Sequence, residues 1–253
     1  MSQYNWILVR GLSRQTKHWG EFPEMLANET GNNVFTLELP GVGVKNDIPA
    51  KMSIRENVEH LRSELQELKQ KNPGDWGIVA VSLGGMVAME WCSVYPDDFK
   101  HMVVLNSSAG NLSSPFKRLQ PEAIKTIAGL FFKTDLEHRE RKVLELTTNI
   151  ADINDELVKK WANINRERPI TRESFLRQLF AAAKFRVPEK VGPKALVVIS
   201  KADKLCNPSC PMKLAEHLGA HSSFHDTAGH DIALDAPDWL AKEIKNFTQE
   251  SLN

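Results

Sequence analysis

The stretch Ile78-Val79-Ala80-Val81-Ser82-Leu83-Gly84-Gly85-Met86 decides how this chain is read. Four small or branched apolar residues run straight into a serine, and a mostly apolar helical pattern opens on paired glycines and ends before Pro96. A short apolar run ahead of a helix reads as a buried strand. A serine hydroxyl that is to act as a nucleophile must stand clear of the sheet. That requires a sharp strand-to-helix turn, which tolerates only small residues two before and two after the serine. Ala80 and Gly84 meet this demand. Ser82 is therefore a candidate nucleophile, set against the plainer reading of a serine in an ordinary strand–helix loop.

Outward from this segment the same alternation recurs. Trp6–Val9 reads as a strand, Trp19, Phe22 and Leu26 fall at helical spacing, and Gly31 closes that helix. Val34–Leu39 reads as the second strand, stopped by Pro40-Gly41. Ser53-Ile54-Arg55-Glu56 has the form of a capping box ahead of the stripe Val58, Leu61, Leu65 and Leu68. Trp76–Val81 and Met102–Leu105 are the next two strands. Continuous apolar strands joined by helices of about 12 residues or more predict a parallel sheet covered on both faces. The alternation pauses over 112–190, where only helical periodicity is found. It returns with Ala195–Ile199, a helix from Asn207-Pro208 to Gly219, a weaker strand Ser222–His225, and a last helix from Pro237. Residues 1–111 and 191–253 thus read as an α/β core of about six mostly parallel strands, in three layers, and 112–190 as an inserted helical cap.

Composition narrows the class. Over 253 residues the chain is 42% apolar and 25% charged, with 32 basic and 32 acidic side chains. That is ordinary for a globular domain, and the balanced charge provides no global field to draw in nucleic acid. No apolar run approaches the roughly 18 residues of a membrane span. The N-terminal stretch lacks a leader pattern, and Cys92, Cys206 and Cys210 are too few for a disulfide scaffold. A cytoplasmic protein is the expectation.

A serine is a weak nucleophile at neutral pH and needs an adjacent base. His230, in Thr227-Ala228-Gly229-His230-Asp231, follows the last predicted strand, and Gly229 lets the loop turn tightly. The other histidines weighed lie on or near helices (His60, His138, His217, His221) or in a strand (His225). A third group must fix the histidine tautomer and stabilise the imidazolium. Asp203 sits just past the carboxyl end of the Ala195–Ile199 strand, where sites gather in open α/β sheets. Asn106-Ser107-Ser108, after the fourth strand, offers no carboxylate. Asp231 and Asp235 are too close to His230 in sequence to face it easily.

With Ser82, Asp203 and His230 in this order, each at a strand's carboxyl end, the chain resembles the α/β-hydrolase superfamily from residue 5 to about 248. Arg10-Gly11-Leu12, Pro40-Gly41-Val42-Gly43, Ala80-Val81-Ser82-Leu83-Gly84 and Gly229-His230 carry the likeness. The resemblance implies an oxyanion hole made by the backbone N–H groups of Leu12 and Leu83, with no metal and no organic cofactor. It also shows three departures. Arg10 stands where the family usually carries histidine, Ala80 replaces the first glycine of the elbow, and the two leading antiparallel strands of the full fold are missing. A buried guanidinium at Arg10 needs a partner, with Glu38 favoured over a substrate carboxylate.

The resulting expectation is hydrolysis of a small-molecule ester of small-to-medium acyl group through an acyl-enzyme on Ser82. Thioester cleavage, C–C hydrolysis, a lyase reaction, or a non-catalytic ligand-binding role on the same fold stand as alternatives. The series Cys206, Cys210, His217 and His221 suggests zinc but lacks the longer gap of zinc fingers. The 112–190 stretch holds 16 Lys and Arg against 11 Asp and Glu, usually a solvated surface and less often an attraction for acidic acyl groups. Phe131, Phe132, Trp161, Phe175 and Phe180 read as the cap's own core, with one or two lining an acyl pocket.

Overall fold

Alternate residues of the strands bury against opposite layers of helix, which is what continuous apolar strands require. In the computed structural model, which describes residues 4–131 and 133–250, six strands form one parallel sheet: β1 (Tyr4–Val9), β2 (Asn33–Leu37), β3 (Asp75–Val81), β4 (His101–Leu105), β5 (Lys194–Ser200) and β6 (His221–His225). Their spatial order is β2-β1-β3-β4-β5-β6. Between them run α1 (Phe22–Thr30), α2 (Ile54–Lys71) and α3 (Leu83–Val94). After β4 come α4 (Pro115–Arg118), α5 (Pro121–Leu130), α6 (Leu136–Thr147), α7 (Asp155–Glu167) and α8 (Arg172–Lys184). The chain closes with α9 (Ser209–Leu218), α10 (Ile232–Asp235) and α11 (Pro237–Glu250).

Ile7, Val9, Ile78, Ala80, Met102 and Val104 face the layer of α2 and α3. Trp6, Leu8, Val79, Val81, Val103 and Leu105 face α1 and α11 on the other side. Each such fully buried Val, Leu, Ile or Met side chain contributes roughly 1.5–3 kcal/mol relative to exposure. The predicted capping box is present: Ser53 Oγ accepts from Glu56 N, and the Glu56 carboxylate accepts from Ser53 N.

Several strand ends shift by one or two residues from the sequence reading, and two differences have a clear local cause. The strand expected over Val34–Leu39 ends at Leu37, because Glu38 turns inward to accept from Thr16 N and Thr16 Oγ. Trp19 belongs to a separate 3₁₀ turn, Thr16–Trp19, which Gly20 ends at φ 58° before α1 begins. Among the described residues, no helix is long and apolar enough to cross a membrane.

The order of the strands places the site. The chain passes from β1 to β2 on one flank, then returns to β3 on the other. The carboxyl ends of β1 and β3 therefore border the crevice where the winding direction reverses, the usual ligand position in such sheets.

Candidate active site

Ser82 lies between β3 and α3 with φ 56° and ψ −117°, a conformation non-glycine residues rarely adopt. Three bonds pin it: Ser82 N donates to Leu105 O at 2.9 Å, and Ser82 O accepts from Ser107 Oγ at 2.7 Å and from Met86 N at 3.2 Å. Gly84 must be glycine here, since a Cβ would lie 2.4 Å from Val9 O and 2.6 Å from Arg10 O. The loop after β1 presses on the serine as well, a Cβ on Gly11 falling 3.0 Å from Ser82 Cβ. That loop is a tight turn, with Arg14 N donating to Gly11 O and Ser13 at φ 61°. Among the described residues neither Leu12 N–H nor Leu83 N–H finds an acceptor. Both belong to residues next to Ser82 in space or sequence.

His230 and Asp203 meet. His230 Nδ1 lies 2.7 Å from Asp203 Oδ2, and because a carboxylate only accepts, the Nδ1–H donates. The second carboxylate oxygen accepts from Leu205 N and Cys206 N, fixing the aspartate from below. Burial of the ring opposes its charged form. The Asp203 charge and hydrogen bond, with Asp231 nearby, outweigh burial, so the His230 pKa lies above the ordinary histidine value; Arg10 acts in the opposite direction.

Arg10 does not pair with Glu38. Its guanidinium binds both carboxylate oxygens of Asp231, at 3.0 and 2.6 Å, and lies 4.7 Å over the Trp19 ring. The reason is geometric. Arg10 leaves the carboxyl end of β1 pointing toward the layer that carries the His230 loop, whereas Glu38 is taken by Thr16. Further ties hold that loop: Asn106 Nδ2 donates to His230 O at 2.9 Å, Asp235 accepts from Gly229 N at 2.6 Å, and Asp231 N donates to Thr147 O at 2.8 Å.

Ser82 and His230 open into one cavity of about 450 Å³, ample for a small organic ligand. Leu12, Leu130, Phe131, Leu146 and Phe175 supply apolar wall. Of the aromatic residues singled out from sequence, Phe131 and Phe175 line this space, while Trp161 packs with Leu144 and Val158 in a separate small core. Phe180 is partly exposed, and Phe132 lies outside the described residues.

A family model described as serine aminopeptidase, S33, matches residues 6–236. The chain belongs to this α/β-hydrolase family. Among solved structures the hydrolase resembles an esterase from Exiguobacterium antarcticum (TM-score 0.76, 12% identity, 98% of this chain and 93% of that one). It also resembles a lipase-esterase related protein from Clostridium acetobutylicum (0.73, 16%, 97% and 95%). A thioesterase of prodiginine biosynthesis from Streptomyces coelicolor is similar as well (0.67, 15%, 96% and 85%). At these identities the likeness establishes the fold alone. No curated protein sequence matches the hydrolase significantly.

Sequence reasoning missed two residues that hold the His230 loop, Asp231 and Asn106, and one buried histidine outside the cavity lining, His18. Closeness in sequence argues against Asp231 facing His230 but does not indicate what else Asp231 binds. Asn106 was dismissed for lacking a carboxylate, yet its amide clasps the ends of β4 and β5 and the His230 loop. His18 carries no local pattern that marks it. It is buried edge-on to Trp161, and burial, with Arg14 and Arg10 nearby, holds its pKa well below the ordinary value. As for zinc, Cys206 and Cys210 are buried free thiols and His217 is bonded to Pro188 O. Among the described residues no three His, Cys, Asp or Glu side chains are grouped to hold a metal ion.

Proposed function

We propose that this hydrolase cleaves carboxylic esters through an acyl-enzyme on Ser82, with His230 as general base and Asp203 as its orienting acid. The observation that carries the reading is the 2.7 Å bond from His230 Nδ1 to Asp203 Oδ2, with Ser82 and His230 on one cavity. Engagement of Nδ1 leaves Nε2 for proton transfer.

Ser82 Oγ adds to the ester carbonyl while its proton passes to His230 Nε2. The carbonyl oxygen becomes an oxyanion, for which Leu12 and Leu83 N–H are the donors, each such donor worth roughly 10²–10³ in rate. Collapse breaks the bond to the alcohol oxygen, which takes the proton from His230. Water then adds to the acyl carbon, giving its proton to His230. The acid departs as the C–Oγ bond breaks and Ser82 recovers its proton. Helices α4–α8, as a cap over residues 112–190, would exclude bulk water and set the acyl size, with Phe131 and Phe175 in contact with the chain.

Fluorophosphonate labelling of wild type beside Ser82→Ala, with a series of acyl esters, acyl thioesters and aminoacyl amides, tests this. Labelling of Ser82 and ester turnover that vanishes in Ser82→Ala are expected. Labelling elsewhere, or ester turnover that persists in the variant, would sink the assignment.

A further inference from the structure

The cavity that holds Ser82 and His230 is unevenly charged. Arg10, Arg14, Lys133, Arg139 and Arg172 line it, against only Asp231 and Glu140 as carboxylates. Both carboxylates are already engaged. Asp231 takes Arg10 on two oxygens, and Glu140 takes Arg14 Nη1 at 2.6 Å and Asn165 Nδ2 at 2.6 Å. Lys133 and Arg139 have no ion pair among the described residues. Arg139 is half-buried, so its charge acts across a medium less polarisable than water.

Arg14 adds a fixed positive charge to this lining. Its guanidinium is held rigidly, by Glu140 on one side and 4.9 Å over the Trp161 ring on the other. Nη2 has no hydrogen-bond partner and no accessible surface, so Arg14 acts on the cavity through its charge and not as a donor to a ligand. The amino end of α8 enters the same cavity through Thr171, Arg172 and Phe175, adding the positive end of a helix.

We infer that the substrate carries an anionic group, a carboxylate or its equivalent, separated from the scissile carbonyl by a short apolar stretch. Arg139 is its specificity-determining contact, and Arg14 is the fixed positive charge behind it. The apolar wall of Leu130, Phe131 and Phe175 suits the methylene spacer. The inference rests on the reading of this cavity as the substrate site, and it names the substrate class.

Calorimetry on Ser82→Ala tests it without turnover. One arm uses monoethyl adipate, with the anion on the acyl side. The other uses the acetate ester of 6-hydroxyhexanoate, with the anion on the alcohol side. Each is compared with its carboxamide isostere. In at least one arm the carboxylate binds about tenfold or more tightly than the amide. That preference shrinks in high salt and on adding Arg139→Gln, and Arg139→Lys keeps part of it. Equal affinity of carboxylate and amide in both arms, or no binding by either, overturns the inference. Fluorophosphonate labelling of wild type separates the two readings. A labelled Ser82 without anion preference sinks only the substrate class. Anion preference without labelling sinks only the hydrolytic role.

Discussion

The guanidinium of Arg10 and the carboxylate of Asp231 form a fork-to-fork pair, buried on both sides, one residue from His230. Arg10→Met strands a buried carboxylate, so unfolding stability should fall by about 3–5 kcal/mol. Arg10→Met with Asp231→Asn should regain most of it. Urea denaturation of the two variants beside wild type measures both.

The same pair bears on the pH profile. With His230 as the proposed base, its raised pKa should place the acid limb of ester kcat/KM above the ordinary histidine value of 6.5, because the base must be neutral to accept the serine proton. Loss of Arg10 removes a charge that lowers this pKa and frees Asp231, which raises it. The limb should therefore move to still higher pH in Arg10→Met, and return toward wild type when Asp231→Asn is added. A limb that does not move between these proteins would deny any electrostatic coupling.

Asp203→Asn keeps the size of the side chain but allows the wrong histidine tautomer. Turnover should drop by roughly 10⁴, with far-UV circular dichroism unchanged. A loss under tenfold would mean that Asp203 does not orient the base.

Ser82 carries backbone strain of about 1–3 kcal/mol at its positive φ. Glycine adopts that conformation freely, so Ser82→Gly should be more stable than Ser82→Ala by about 1 kcal/mol, both being inactive. Thermal melts of the pair, run side by side, decide this.

Gly84→Ala tests the close approach of α3 to β1. A methyl 2.4 Å from Val9 O forces the helix away, at a cost of about 1–3 kcal/mol, and displaces Leu83 N–H. Ester kcat should fall more than KM rises. By contrast Ala80→Gly, which restores the family's usual residue, should cost about 1 kcal/mol or less.

The strands, their parallel arrangement and the Ser82 turn were legible along the chain because each depends on local pattern. Apolar runs of four or five residues, Ala80 and Gly84 beside the serine, and Ser53 three before Glu56 encode their geometry within a few positions. Asp203 and His230 were legible through their place at strand ends and the resemblance they carry. What bonds to what across the sheet was not. Arg10 lies 221 positions from Asp231, and Asn106 lies 124 from His230. Propensity and periodicity carry no information on such pairs. Only the order β2-β1-β3-β4-β5-β6 brings their strand ends together. The charge of the cavity was likewise settled in space: the count of basic residues over 112–190 said nothing of which ones meet a carboxylate and which face Ser82. Desolvation and pairing act between neighbours in three dimensions, and the chain's own order does not specify those neighbours.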